Sequence, residues 1–176
     1  MPPRDLKRMA PLPVVFRANR GALWVAAILL ACSSSRAYAL LQSCSVSATA
    51  LSFGTYDPSS ATARDSTGTV TVTCTATLLG LSGSWDILLS TGSGGSFTPR
   101  RLFSGGNSLQ YNLYINAGRT QVWGDATGGT AKVSDSQFLL VGTNQYSYTT
   151  YGRIPALQNL APGTYTDTIT VTVNYQ

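Results

Sequence analysis

The sequence contains no histidine and no glutamate, and all seven of its acidic residues are aspartates. Histidine titrates near neutral pH and is the commonest general base and metal ligand in proteins. Without it, the usual residue sets of hydrolases and zinc sites are missing. The six aspartates beyond residue 40 lie far apart in the sequence, so they form no paired-carboxylate motif. We therefore predict no catalytic residue, no metal site, no cofactor and no small-molecule substrate.

Positive charge is scarce over most of the chain, although the formal net charge is +5. Six of the twelve Lys and Arg residues precede residue 40, where Asp5 is the single acid, and the remainder holds six cations and six acids. Nucleic-acid binding needs several cations that displace counterions together, whereas these six are scattered. We predict that nucleic acid is not a partner.

The first 39 residues have the order of a secretory signal peptide. A basic stretch precedes an unbroken apolar run at 21–31, and a polar segment then ends in Ala37-Tyr38-Ala39. This run is shorter than the roughly 20 residues that span a bilayer. We predict cleavage between Ala39 and Leu40, which removes residues 1–39 and leaves one domain at 40–176. That domain would be exported through the periplasm to the cell surface, or secreted.

A second processing signal ends at Cys32, where the tetrapeptide Leu-Leu-Ala-Cys resembles a bacterial lipoprotein cleavage box. The alternative is therefore a lipoprotein anchored at Cys32. In either case Cys44 and Cys74 remain as an even pair in an exported chain, where disulfides persist. We predict that these two cysteines are bridged.

The sequence beyond residue 40 favours strands over helices. Helix formers are scarce, Ser and Thr are abundant, and apolar residues alternate with polar ones. Because each such segment has one apolar face, we predict an all-β fold: two packed sheets, with six or seven strands in total. The apolar positions of the clearest strands are Val70, Val72 and Cys74; Trp85, Ile87 and Leu89; Leu109, Tyr111, Leu113 and Ile115; Ile169, Val171, Val173 and Tyr175.

Five polar or aromatic residues suggest other functions. Tyr146, Tyr148 and Tyr151 lie in a polar stretch and raise the alternative of a secreted carbohydrate- or surface-binding β-sandwich module. The alternation of Tyr146 with Tyr148 is more typical of the buried face of a strand. Arg100 and Arg101 are interpreted as a solvated loop tip instead of an anion-binding site.

Seven short segments occur in an order that is far more specific than any one of them. They are CSVSA from Cys44, LSFGTYDP from Leu51, TVTC from Thr71, LQYNLY from Leu109, WGD from Trp123, YGRIP from Tyr151 and GTYTDTITVTVNY from Gly163. Together they resemble the spore coat protein U domain, a family that includes the pilins of archaic chaperone-usher pili.

The resemblance implies an immunoglobulin-like β-sandwich that is incomplete and keeps an apolar groove between its first and last strands. A periplasmic pilus chaperone fills this groove, and another pilus or coat subunit later replaces it at the outer-membrane usher by strand addition. Carried over to this chain, the groove walls are Val46, Ala48 and Ala50 on one side and Ile169, Val171 and Val173 on the other, and Tyr175 and Gln176 dock on the chaperone.

The chain departs from a repeating pilin ahead of its first strand. A donor strand needs about ten alternating residues, and cleavage after Ala39 leaves only residues 40–43 before Cys44. We therefore expect a structural subunit of a pilus or coat that contributes to attachment and biofilm, at a tip or terminal position.

Overall fold

The computed structural model describes residues 42–176. The predicted signal peptide, the cleavage site between Ala39 and Leu40, and Cys32 lie outside the described residues. The described part contains eight strands and no helix, and hence no helix that could cross a membrane. The strands are β1 (Gln42–Ala48), β2 (Arg64–Ala76), β3 (Leu81–Leu89), β4 (Arg100–Ser104), β5 (Asn107–Tyr114), β6 (Val133–Leu139), β7 (Gly142–Ile154) and β8 (Val171–Tyr175).

The strands form two antiparallel sheets, which confirms the predicted all-β sandwich. One sheet has five strands in the order β1-β2-β7-β5-β4, and the other has three in the order β6-β3-β8. Residues 42–176 form eight strands instead of the predicted six or seven. The alternation in β4 and β6 is weak, because β4 begins with two arginines and β6 is largely polar.

The alternating apolar residues of β2, β3 and β5 point between the sheets and form the core. Ile87 is 0% exposed and Trp123, from the segment after β5, is also fully buried. The Trp123 indole Nε1 donates a hydrogen bond of 3.0 Å to the Ile87 carbonyl, so this large side chain is buried with its polar atom satisfied.

The first strand ends at Ala48, close to where the apolar positions change from even-numbered residues (46, 48 and 50) to odd-numbered ones (51 and 53). Thr49 N still donates to the Thr69 carbonyl, and the chain then turns so that Leu51 and Phe53 pack inside the sandwich. Gly152 provides the space for them, because a Cβ built there would lie 2.8 Å from the tip of the Phe53 ring. A loop therefore covers part of the inward face of the paired strands β2 and β7.

The position of Arg100 in the structure contradicts the interpretation of this residue as part of a solvated loop tip. It opens β4 and is 0% exposed. Its guanidinium donates to the Ser90 carbonyl, the Trp123 carbonyl and the Asn112 side-chain oxygen, at 2.7–3.1 Å. Burial lowers the pKa of Arg100. The prediction was wrong because these acceptors come from other parts of the chain and are not visible in the local sequence.

The predicted disulfide is confirmed. Cys44 of β1 lies opposite Cys74 of β2 in the antiparallel ladder, and the two Sγ atoms are bonded, with the Cα atoms 4.1 Å apart. The bridge joins the edge strand of the five-stranded sheet to its neighbour on the inward face.

Candidate strand-acceptor groove

Two neighbouring strand edges have no strand partner in the described part of the chain. β1 forms hydrogen bonds with β2 and β8 with β3, and each is the outermost strand of its sheet. β1 and β8 lie beside each other across the opening between the sheets. An unpaired edge presents a row of backbone N–H and C=O groups that another strand can bond.

A cavity of about 360 Å³ opens between these two edges. Four of the predicted groove residues line it: Ala48 and Ala50 on one side, Ile169 and Val171 on the other. Its floor is formed by core residues of β2, β3 and β5: Val70, Leu89, Tyr111 and Leu113.

The other two predicted groove residues lie beside this cavity. Val46 is opposite Val72 and Val173 is opposite Ile87, and both are half-buried against the core. Ala50 and Ile169 are located just outside their strands, because β1 ends at Ala48 and β8 begins at Val171. The structure thus gathers the six positions around one opening, and their role in strand acceptance stays a prediction.

A second cavity of about 740 Å³ continues the opening past the end of β1. It lies between segment 51–58 and segment 160–167, with Leu109 and Ile154 in its wall. Leu51, Phe53, Leu102 and Asp167 line both cavities and mark the place where they meet. We call the two cavities together the groove.

Asp167 is a residue that the sequence analysis did not select. Its Oδ2 accepts a hydrogen bond of 2.6 Å from the Tyr111 hydroxyl, and its Oδ1 accepts from Ser93 N at 2.7 Å. Burial raises the pKa of Tyr111, and the hydrogen bond to Asp167 raises it further, so the phenol stays protonated and donates. The sequence signal that could have identified Asp167 is its position as the single acidic residue in the alternating segment that leads into β8.

The C-terminal residues Tyr175 and Gln176 complete the last strand edge. Tyr175 is opposite Trp85 and is 42% exposed. Gln176 exchanges two backbone hydrogen bonds with Ser84, of 2.9 and 3.2 Å. Both residues therefore extend the β8 edge beyond Val171, which lines the groove, and their docking on a chaperone stays a prediction.

The three tyrosines of the alternative hypothesis are largely engaged within the protein. The Tyr146 ring packs on Trp85 with centroids 4.8 Å apart, and the Tyr148 hydroxyl is hydrogen-bonded to Trp85 and Asp135. Tyr151 faces the other side of β7, where Arg119 lies over its ring at 5.9 Å. They do not form one exposed aromatic surface.

Two hairpin ends place apolar side chains at one end of the sandwich. Ala76 is opposite Gly142 and Leu81 is opposite Leu139, so the β2–β3 and β6–β7 connections are adjacent. The sequence at 66–85 and 136–152 contains no charged residue. We name this surface the apolar pole; its members are Leu78, Leu79, Phe138, Leu140 and Val141, which are 52–80% exposed.

Within residues 42–176, no three His, Cys, Asp or Glu side chains gather in an arrangement that could hold a metal ion. The arrangement that the structure does offer is the groove, whose part between β1 and β8 is mainly apolar and has an unpaired strand edge at each rim.

The sequence and the fold are both similar to known proteins. The sequence matches the profile of the Spore Coat Protein U domain over residues 30–172. Protein U of Myxococcus xanthus is 31% identical, and the match covers 71% of each protein.

A structural match comes from the crystal structure of the CsuC-CsuE chaperone-tip adhesion subunit pre-assembly complex from archaic chaperone-usher Csu pili of Acinetobacter baumannii. One chain of it is similar with a TM-score of 0.51 and 22% identity, which shows the fold alone. The similarity covers 76% of this chain and 39% of that chain, so this chain spans well under half the length of that relative.

Proposed function

Because the chain belongs to the Spore Coat Protein U domain family, we propose that it is an exported structural subunit of a chaperone-usher pilus or of a spore or cell coat. Its partners are a periplasmic pilus chaperone, an outer-membrane usher and other subunits. The observation that carries the proposal is the groove: two unpaired strand edges flank an apolar cavity lined by Ala48, Ala50, Ile169 and Val171.

The groove supports strand addition because an inserted strand would correct two unfavourable features together. It would pair the backbone groups of β1 and β8, and its alternate side chains would cover half-buried apolar residues such as Val46 and Val173. The incomplete sandwich alone exposes both features to water, which favours aggregation. Tyr175 and Gln176, at the end of β8, are the proposed docking point for the chaperone.

The test uses the exported protein and a synthetic peptide of alternating Val and Thr as the donor strand. We expect self-association without the peptide and a monomer with it. The melting temperature should rise, since a ligand that binds only the folded state adds about 2.7 kcal/mol at a hundred times its Kd. A peptide of equal composition without alternation is the control.

Two neighbouring positions of β8 provide matched protein variants. Val171 lines the cavity, whereas the Thr172 side chain is exposed on the other face of the strand. Val171→Lys should abolish the gain from the peptide and Thr172→Lys should keep it. A wild-type protein that is a stable monomer, with no gain from any donor strand, contradicts the proposal.

A tip or terminal position is part of the proposal. With cleavage after Ala39, Gln42 and Ser43 of β1 are already paired with Ala76 and Thr75 of β2, so they supply no free donor segment. Mixed with subunits that carry a donor strand, this subunit should end fibres and shorten their mean length as its fraction rises. Fibres that grow longer with its fraction would contradict the terminal position.

We further propose that the subunit contributes to surface attachment and biofilm. The apolar pole supports this, because its large side chains project from two hairpin ends and lie in two segments, 66–85 and 136–152, that contain no charged residue. The paired change Leu79→Asp and Phe138→Asp should reduce adsorption to an apolar solid and leave the melting temperature nearly unchanged. Thr75→Asp, an exposed position on β2, is the control.

The second candidate is the secreted carbohydrate- or surface-binding module. Tyr148 and Tyr146 contribute to the interior, so the structure favours this candidate less than strand acceptance. Glycan binding that is lost on Tyr151→Ala would support it.

A further inference from the structure

In the C-terminal segment 165–173, every second side chain points inward, and these side chains form a row. Four members of this row pack against the core: Tyr165, Ile169, Val171 and Val173. Asp167 occupies the remaining position, where the two cavities of the groove meet. A strand that adds along this edge therefore encounters one carboxylate within an apolar row.

The Asp167 carboxylate is partly occupied by fixed donors. Oδ1 accepts from Ser93 N at 2.7 Å and from Thr168 N at 2.8 Å, and Oδ2 accepts from the Tyr111 hydroxyl at 2.6 Å. Gly92 leaves room for it, since a Cβ there would overlap the carboxylate. An ionised carboxylate offers about four acceptor positions. One position on Oδ2 is therefore left for a group in the groove.

In the part of the chain that the structure describes, no cation forms an ion pair with this carboxylate. The three ion pairs within residues 42–176 do not include Asp167. Arg100 is the basic group whose charge interacts with it, but the Arg100 donors are bound to Ser90, Asn112 and Trp123. A strand in the groove displaces water from Asp167, and an apolar side chain placed there would leave a buried charge incompletely bonded, which is costly.

We propose, on the basis of the acceptor groove proposed above, that Asp167 selects a hydrogen-bond-donating side chain at one position of the incoming strand. In the incoming strand, apolar side chains then follow at every second residue, and they face Ile169, Val171 and Val173 of this protein. A slip of two residues places an apolar side chain against the carboxylate. Asp167 therefore specifies the register of the added strand as well as its sequence, which an all-apolar groove does only weakly.

The test is a peptide panel measured on the exported protein. Each peptide has about nine residues, enough for about 30 Å of strand, and carries Val at all inward positions except one, which is Ser or Lys. We expect Ser or Lys to tighten binding about 10-fold at a single inward position and to weaken it at the others. The readouts are Kd by fluorescence anisotropy and the peptide-induced shift in melting temperature.

Two variants separate selection by Asp167 from a general effect of polarity. Tyr111→Phe frees a second acceptor position on Oδ2 and should increase the preference for Ser at that position. Asp167→Asn keeps its oxygen on Ser93 N and Thr168 N and places an uncharged NH2 donor at the Oδ2 position. It should therefore lose the preference for Lys and keep part of that for Ser, because a hydroxyl can also accept. The peptide-free melting temperature of each variant reports whether the fold is retained.

The outcomes distinguish this inference from the proposed function. If the all-Val peptide binds best to the wild type in every register, the role of Asp167 is overturned and strand acceptance stands. If the preference for Ser and Lys at that position is equally strong in the wild type and in both variants, another group selects it and the inference also fails. If no peptide stabilises the protein, both proposals fail.

Discussion

The indole Nε1 of Trp85 in β3 donates a hydrogen bond of 2.8 Å to the hydroxyl of Tyr148 in β7 and so joins the two sheets. The Tyr148 hydroxyl in turn donates to Asp135 Oδ2 of β6 at 2.7 Å. Burial raises the pKa of Tyr148, and the hydrogen bond to Asp135 adds to this effect. The two hydrogen bonds from Trp85 through Tyr148 to Asp135, which we call the polar chain, therefore link β3, β7 and β6. They lie toward β6, one edge of the three-stranded sheet, whereas β8, at its other edge, borders the groove.

The first prediction concerns this polar chain. Tyr148→Phe removes one hydroxyl, which is the partner of Trp85 Nε1 and of Asp135 Oδ2. We expect the free energy of unfolding to fall by about 1–3 kcal/mol, measured by urea denaturation. Tyr151→Phe, on the outward face of the same strand, is the control and should change it by less than about 0.5 kcal/mol. Equal effects of the two changes would contradict the role of the chain.

A second prediction tests the loop that fills the interior. A Cβ at Gly152 would lie 2.8 Å from the Phe53 ring and 2.9 Å from Leu51, so Gly152→Ala must displace both side chains. We expect a loss of about 1–3 kcal/mol in the free energy of unfolding. Gly106→Ala is the control, since nothing lies within 4 Å of a Cβ there. A Gly152→Ala variant as stable as the control would show that the loop repacks without cost.

The parts of the fold that sequence predicts best are those where burial follows a local pattern. In β2, Val70, Val72 and Cys74 are buried and the threonines between them are not, as their alternation indicates. β3 follows the same rule with Trp85 and Ile87. A period of two residues directly states which face of a strand packs inward, so no information on partners is needed.

The residues that sequence reasoning missed are polar groups with distant partners. Arg100 is satisfied by Trp123 and Ser90, and Asp167 by Tyr111 and Ser93, whose separations in sequence range from 10 to 74 residues. A charged side chain is buried only where such partners converge. That convergence depends on how β4, β5 and the last segment meet, which local patterns do not encode.

The third prediction concerns the disulfide of β1. Unreduced, exported protein should show no thiol that reacts with an alkylating agent. The double change Cys44→Ser and Cys74→Ser should lower the free energy of unfolding by roughly 3–4 kcal/mol, because the bridge closes a loop of about thirty residues. Reducing agent should destabilise the wild type to a similar extent and leave the double variant unchanged. Sensitivity of the double variant to reductant would contradict this account.

A fourth prediction concerns processing. The small residues Ala37 and Ala39 precede the expected cleavage site, so intact-mass measurement of the exported protein should give an N-terminus at Leu40. Ala39→Tyr should block or shift cleavage, and Tyr38→Phe is the control that should leave the mass otherwise unaltered. A diacylglycerol-modified Cys32 would contradict cleavage at Leu40 and support the lipoprotein alternative.

The last prediction is the dependence of stability on pH. Arg153 donates to both Asp65 oxygens, at 2.7 and 2.8 Å, and Arg119 lies 3.3 Å away. The hydrogen bond from Arg153 lowers the pKa of Asp65 despite some burial, and the charges of both arginines lower it further. A lowered pKa in the folded state stabilises the fold above the ordinary carboxyl pKa of about 3.9, and this contribution is lost as pH falls through the folded value.

The pKa of Asp86 is lowered by Lys132, and that of Asp135 is lowered by the Tyr148 hydroxyl and neighbouring donors, which outweigh burial. All three carboxylates therefore act in the same direction, and no histidine is present to titrate near neutral pH. We expect a nearly constant free energy of unfolding between about pH 5 and 8 and a decline below about pH 4. Asp65→Asn should be less stable at neutral pH and should decline less steeply in acid. An acid decline as steep in Asp65→Asn as in the wild type would show that the Asp65 pairs contribute nothing to stability.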